Sequence, residues 1–236
     1  MTARPFAPGP DAGDPRPPRE LAAEIVRQNI QHHDLAAPMY DISHPNLYHL
    51  LERRRLQADL KLLAELMGER RPLRVVDVGA GTGRLTLPFA LRGWEVTAVD
   101  CSARMLQQLR QRYERAPAAA RLELVCATVE DFLAHAAGDF DLFAFSSVLH
   151  HLPDPVDVVS RCLQRLRIGG CIYITQEPLP APRPRPIAEV IVQALDEVAR
   201  TPQQLYRQVY RRLHRLPLAR AGELVDVHVA RGIDLP

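Results

Sequence analysis

Three glycines at alternate positions, Gly79, Gly81 and Gly83, stand directly after the run Val75-Val76-Asp77-Val78. A turn without Cβ atoms lets a ligand touch backbone, and the helix starting beyond it offers free N–H groups. Asp100 follows 21 residues after Gly79 and closes the run Glu95-Val96-Thr97-Ala98-Val99. An acid at the end of a second strand suits a ribose, because two carboxylate oxygens match a cis-diol. Gly79, Ala80, Gly81 and Gly83 therefore read as a backbone cradle, and Asp100 as the acceptor for sugar hydroxyls. The dinucleotide fingerprint G-x-G-x-x-G needs its third glycine where Arg84 stands, which argues against nicotinamide chemistry. Ser146 ends the apolar run Phe140–Phe145, on the edge of an open sheet where ligands bind. His150 and His151 follow it. Their titration range suits a general base for an oxygen or nitrogen nucleophile. The competing reading is a histidine pair that orders the turn before Pro153.

The elements that must hold these residues alternate regularly. Strands read at 73–78, 95–99, 121–126, 140–145 and 171–176, and helices at about 84–92, 102–115, 129–136 and 155–166. This alternation predicts an α/β fold, a Rossmann-like, doubly wound, mostly parallel sheet with helices on both faces. Ser102 is placed to cap one helix, and Asp154 another with Pro155 in its first turn. Ahead of the sheet, helices read from about Glu20 to His33 and from about Asn46 to Met67. The breaker-rich stretch Ala37–Pro45 between them reads as non-helical. Beyond the sheet come the proline-rich connector Pro178–Pro186, two apolar helical stripes over 187–216, and a strand at Val225–Val229.

Five segments in order resemble the class I S-adenosylmethionine-dependent methyltransferases. They are Val76–Gly83, Val99–Leu106, Phe140–Leu142, Ser146–Asp154 and Leu166–Gly170. The resemblance spans residues 72–177 and implies S-adenosylmethionine as cofactor, with S-adenosylhomocysteine as product. It implies that Asp77 helps hold the cofactor's ammonium group, directly or through water, and that Asp100, with Cys101 beside it, lies at the ribose. Met105 reads as an adenine platform, since a thioether adapts to a flat ring; ordinary core packing competes with that. Tyr40-Asp41 resembles the aromatic segment that many members fold over the cofactor. The family often has Asp where Thr128 stands. Thr128-Val129-Glu130 departs from that pattern, so the Val129 amide is left as the main adenine contact and Asp131 as a substitute carboxylate. Ser146-Ser147-Val148 also lacks the Asn/Asp-Pro-Pro-aromatic signature of members that methylate nucleobases or glutamine. The family ends with a further helix and an antiparallel strand, and nothing after Asp234 supplies them.

Four regions follow: a proline-rich tail at 1–19 that reads as disordered, a helical cap at 20–71, the cofactor-binding core at 72–177, and the connector with cap helices and last strand at 178–236. The expected activity is O-, N- or C-methylation of a small molecule. The alternatives are a non-catalytic S-adenosylmethionine-binding protein and a tRNA methyltransferase. The chain has 30 basic and 28 acidic residues, a net charge of +2, which gives no pull toward nucleic acid. A homodimer is compatible with this reading. The arginine faces 53–55 and 207–215 read as solvated. Nine histidines form no ligand pattern on one element, so no metal is expected. Four scattered cysteines read as buried free thiols. No signal peptide or membrane-length run stands out, and the expected setting is the cytoplasm.

Overall fold

The computed structural model of the protein describes residues 18–44, 47–68, 72–116 and 120–178. Residues 1–17 of the tail, the connector beyond Pro178, the stripes over 187–216 and the strand at Val225–Val229 lie outside those residues, and Arg19, read as tail, begins the first helix. Five strands form the sheet: β1 (Arg74–Val78), β2 (Glu95–Asp100), β3 (Leu122–Cys126), β4 (Phe140–Ser146) and β5 (Leu166–Thr175). Their order is β3-β2-β1-β4-β5, every pair parallel. The central strands are buried on both sides, which is why β1 and β4 read as continuous apolar runs.

Helices cover both faces. On one lie α3 (Leu50–Met67), α4 (Thr86–Leu91) and α5 (Ala103–Arg115). There Leu56, Leu60 and Leu63 of α3 and Phe89 of α4 meet Val75, Val96, Leu142 and Ala144. On the other lie α6 (Val129–His135) and α7 (Pro155–Gln164). There Phe132, Val158 and Cys162 meet Val76, Val78, Phe143 and Phe145. Truncating a fully buried ring such as Phe145 to alanine would cost about 3–5 kcal/mol. α1 (Arg19–Ala36) and the one-turn α2 (Tyr40–Ser43) form the cap. α3 packs on the sheet as a core layer, so the cap proper is shorter than the 20–71 expected.

Other expectations need correction. Ala37–Pro45 is not free of helix: a 3-10 turn over Ala37–Met39 leads into α2. Pro38 sits in the first turn of that 3-10 piece, where its missing N–H leaves no bond unmade. α3 begins at Leu50 rather than 46, because His49 caps it by accepting from the Glu52 amide. β5 begins five residues earlier than read. Leu166 pairs with Phe140, and an irregularity between Phe140 and Leu142 absorbs the glycines at 169 and 170. Met105 is completely buried beneath its helix cap and does not line the cleft described below. It is core, not an adenine platform. The thiols differ too: Cys162 is buried, Cys101 and Cys171 are half-buried, and Cys126 is exposed at the end of β3.

Candidate functional site

β2 and β3 lie on one side of β1, and β4 and β5 on the other, so a crevice opens at the carboxyl ends where the chain direction of winding reverses. A cleft of about 780 Å³, its open mouth included, occupies that position.

The β1–β2 side is built from backbone and one carboxylate. Gly79 has φ +64°, and a Cβ there would come within 2.3 Å of Val148 Cγ2. Only glycine combines that conformation with that approach. Asp100 accepts from the Gly81 amide at 2.8 Å on Oδ2 and from the Ser102 amide at 2.8 Å on Oδ1. Each oxygen keeps a second lone pair, so tying down the turn does not exhaust the carboxylate. Burial pushes the Asp100 carboxyl up, against those two amide bonds, which favour its charge. Cys101 lines the cleft beside it, and burial with the neighbouring Asp100 charge pushes its thiol up to about 12. It is a wall, not a nucleophile.

At the end of β3, Ala127, Thr128, Val129 and Glu130 complete this wall. Thr128 caps α6: its Oγ1 accepts from the Asp131 amide at 3.1 Å and donates to Asp131 Oδ2 at 2.9 Å. Its one proton is therefore spent locally. Asp131, absorbed in the same cap, is not a wall residue. Burial raises the Glu130 carboxyl above its usual range.

The β4–β5 side is built differently. Both strands end in a non-glycine residue of left-handed conformation, Ser147 at φ +57° and Gln176 at φ +62°. Such residues persist only where their surroundings over-determine them. Here Glu177 supplies the constraint. Its Oε1 accepts from the Val148 and Leu149 amides at 2.8 and 3.0 Å, and its Oε2 from the His150 amide at 3.3 Å and from His150 Nδ1 at 2.7 Å. Burial opposes its charge, but the His150 bond and the amide bonds prevail and hold the carboxyl below its usual range. An ionised carboxylate only accepts, so His150 carries its proton on Nδ1. The loop from Ser147 to Pro153 hangs on this clamp and contributes Ser147, Val148, His151, Leu152 and Pro153 to the cleft.

The cap closes the third side with Val26, Asn29, His33 and Tyr40. Asn29 Nδ2 donates to the His151 carbonyl at 3.1 Å, and Ser102 Oγ donates to Asp34 Oδ1 at 2.6 Å. The rings of His33 and His151 meet edge to face with centroids 5.4 Å apart, and those of His150 and His151 lie 4.1 Å apart. Asp41 accepts from Thr82 Oγ1 at 2.6 Å and pairs with Arg112, which pins α2 to the glycine turn.

Of the residues singled out from sequence, Tyr40, Gly79, Gly81, Asp100, Cys101, Thr128, Val129, Glu130, Ser146 and His151 line the cleft together. Ala80, Gly83, Asp77 and His150 stand behind the wall. Ala80 donates its amide to the Val99 carbonyl at 3.1 Å, and Gly83 packs against Leu109. Asp77 is buried, its Oδ2 accepting from Thr86 Oγ1 at 2.5 Å, and burial pushes its carboxyl up to about 7. Sequence reasoning missed Glu177, Asn29, His33 and Asp34. For Glu177 a signal existed: a lone acid right after the last core strand. Among the described residues no three His, Cys, Asp or Glu side chains are grouped to hold a metal ion.

A glycine turn after β1, a carboxylate at the end of β2 and a cleft at the switch point define a Rossmann-like nucleotide-site architecture. Residues 76–174 match the family model described as a methyltransferase domain. The chain is 36% identical across 104 residues to the ubiquinone biosynthesis O-methyltransferase of Chromobacterium violaceum, and 33% identical across 102 residues to that of Aromatoleum aromaticum. Each alignment covers 43% of this chain and 43% of the relative, so the chain matches less than half the length of these curated relatives. Residues 76–174 of this chain are thus similar to the methyltransferase domain of that family model and of these relatives.

Solved structures agree on the fold. The DhpI complex with S-adenosylhomocysteine aligns with a TM-score of 0.50 and 20% identity, over 64% of this chain and 68% of that one. The [4+2]-cyclase SpnF aligns with a TM-score of 0.52 and 21% identity, over 64% of this chain and 60% of that one. A protein named as a cyclase sharing the fold means that function has to be argued from the site.

Proposed function

We propose that the protein transfers a methyl group from S-adenosylmethionine to a small-molecule acceptor. The observation that carries this is Asp100. It is held by two backbone amides, keeps a free lone pair on each oxygen, and sits in one cleft with the Cβ-free turn at Gly79 and Gly81. A buried acceptor pair facing a glycine cradle fits an adenosine ribose. Asp100 would hold the ribose hydroxyls. The Val129 amide and the wall from Ala127 to Glu130 would take the adenine, and the turn would take the amino-acid part. When bound, the cofactor supplies an electrophilic methyl carbon on a sulfonium, which an oxygen, nitrogen or carbon nucleophile attacks in line.

The chain's own contribution is mostly positioning, which can provide a large part of the acceleration. The walls from the cap and from Ser147–Pro153 exclude water and orient the acceptor. Of His150 and His151, His151 lines the wall and is the better placed to take a proton. His150, bonded through Nδ1 to Glu177, stands behind it and positions the loop. A cytoplasmic setting accords with the free thiols of Cys101, Cys126, Cys162 and Cys171. No helix among the described residues is long and apolar enough to cross a membrane.

Calorimetric titration of S-adenosylmethionine and S-adenosylhomocysteine into the parent and into Asp100→Ala tests the reading. The parent should bind both. Losing the charge-assisted ribose contact should cost about 1.5–3 kcal/mol, roughly ten- to a hundredfold in affinity. No binding by the parent, or equal binding by the variant, would overturn it.

A further inference from the structure

The polar groups of the cleft are not evenly distributed. The β2–β3 end carries the carboxylates of Asp100 and Glu130, which suit donor groups and repel anions. The end of β4 carries Ser146, and beneath it lies Arg84, whose side chain is 10% exposed. Three contacts fix that guanidinium. Nε donates to the Leu47 carbonyl at 3.0 Å, Nη1 donates to Ser146 Oγ at 2.8 Å, and Nη2 lies 3.7 Å from Glu52 Oε2.

The direction of the Arg84–Ser146 bond decides what Ser146 offers. A guanidinium only donates, so Ser146 Oγ is the acceptor, and the bond consumes a lone pair and not the proton. No other hydrogen bond engages this hydroxyl among the described residues, and Ser146 lines the cleft. Its O–H is therefore the group left to face a ligand. The charge below reinforces this. Arg84 sets a positive charge beneath Ser146, and the carboxylate nearest its Nη2, Glu52, is shared with Arg55, 2.7 Å from Oε1, and with Gln176 Nε2. Asp77, the other acid near Arg84, is only partly ionised at neutral pH.

We propose that Ser146, oriented by Arg84, is the hydrogen-bond donor of an oxyanion subsite at the end of β4. The inference rests on the reading of the cleft as an S-adenosylmethionine site. The matching oxyanion is either the carboxylate of the cofactor's amino-acid tail or a carboxylate on the acceptor. Arg84 is a positioning residue here, and Ser146 touches the ligand.

Three probes separate the sources: S-adenosylhomocysteine, 5′-methylthioadenosine, which has the same adenosine but no amino-acid tail, and benzoate titrated into the S-adenosylhomocysteine complex. If the subsite takes the cofactor tail, Ser146→Ala weakens S-adenosylhomocysteine about tenfold and leaves 5′-methylthioadenosine unchanged. If it takes the acceptor, both nucleosides bind Ser146→Ala normally, and benzoate binds the parent complex about tenfold more tightly than the variant complex. In either case Ser146→Thr, which keeps the hydroxyl, restores the parent value. Arg84→Lys, which keeps the charge but loses the fork, shows a smaller loss in the same arm. Equal weakening of both nucleosides, or no effect in any arm, overturns the proposal. A parent protein that binds neither nucleoside overturns the S-adenosylmethionine reading instead; benzoate titrated into the free protein then decides the subsite, weaker binding by Ser146→Ala supporting it and equal or no binding overturning it.

Discussion

The two halves of the cleft reach order by different routes. On the β1–β2 side the bonds that place the carboxylate are local or span one strand–helix unit: Asp100 binds the amides of Gly81 and Ser102, and Ser102 caps α5 by accepting from the Met105 amide at 3.1 Å. On the β4–β5 side the loop after Ser146 depends on Glu177, which lies 27 to 29 residues away. Local constraints leave a fixed spacing in the chain, and distant ones do not. The first half should therefore tolerate change in the second better than the reverse, with an exception where Gly79 meets Val148.

That exception, Gly79 against Val148, should produce the largest effect. Gly79→Ala combines a left-handed alanine with a Cβ 2.3 Å from Val148 Cγ2. It should cost about 2–5 kcal/mol in chemical denaturation and abolish measurable S-adenosylhomocysteine binding. Adding Val148→Ala should recover the part due to the clash but not the part due to φ. Additive losses in the double variant would mean that the two halves do not meet as described.

The clamp comes next. Glu177→Ala removes the acceptor of three amides and of His150 Nδ1, and should lower stability by about 2–3 kcal/mol. Glu177→Gln can still accept from Val148 and Leu149 and should lose less. The pH profile separates charge from shape. The folded carboxyl lies below its ordinary 4.5, so its contribution is complete above that value and fades as pH falls through the folded one. Acid unfolding of Glu177→Gln should lack this component. A profile that matches the parent's would show that the clamp's charge does not matter.

Asp77 should show the opposite sign. Its folded carboxyl is raised from 3.8 to about 7, so between those values the folded protein binds the extra proton and stability declines as pH rises. Asp77→Asn, which can still accept from Thr86 Oγ1, should flatten that decline in urea titrations at pH 5, 6 and 7. The smallest effect should be Thr128→Ala. Losing the α6 cap should cost about 1 kcal/mol and change S-adenosylhomocysteine affinity little, because the hydroxyl proton is already spent on Asp131. A large affinity loss would restore Thr128 as an adenine contact.

What was legible in the sequence follows the same division. The strand–helix alternation, the caps at Ser102 and Asp154, the glycine turn and Asp100 are all set by spacings within a few dozen residues, and all appear where read. Met105 was misread because a methionine in the first turn of a helix carries no mark of whether it faces ligand or core. Its side chain is fully buried in the structure. The early start of β5 was hidden by Gly169 and Gly170, which interrupt the apolar pattern but fall within a register irregularity of the pairing. His33, Asn29 and Asp34 were illegible as wall or latch residues, since an amphipathic helix does not declare which partner its polar side will meet.

The contact between Gly79 and Val148 also bears on how such a domain can change over generations. A side chain larger than hydrogen at position 79 has room only after position 148 has shrunk. The reverse order passes through a damaged intermediate. The two positions therefore form a ratchet with a preferred sequence of substitutions, and a descendant that has lost the glycine should already carry a smaller residue at 148.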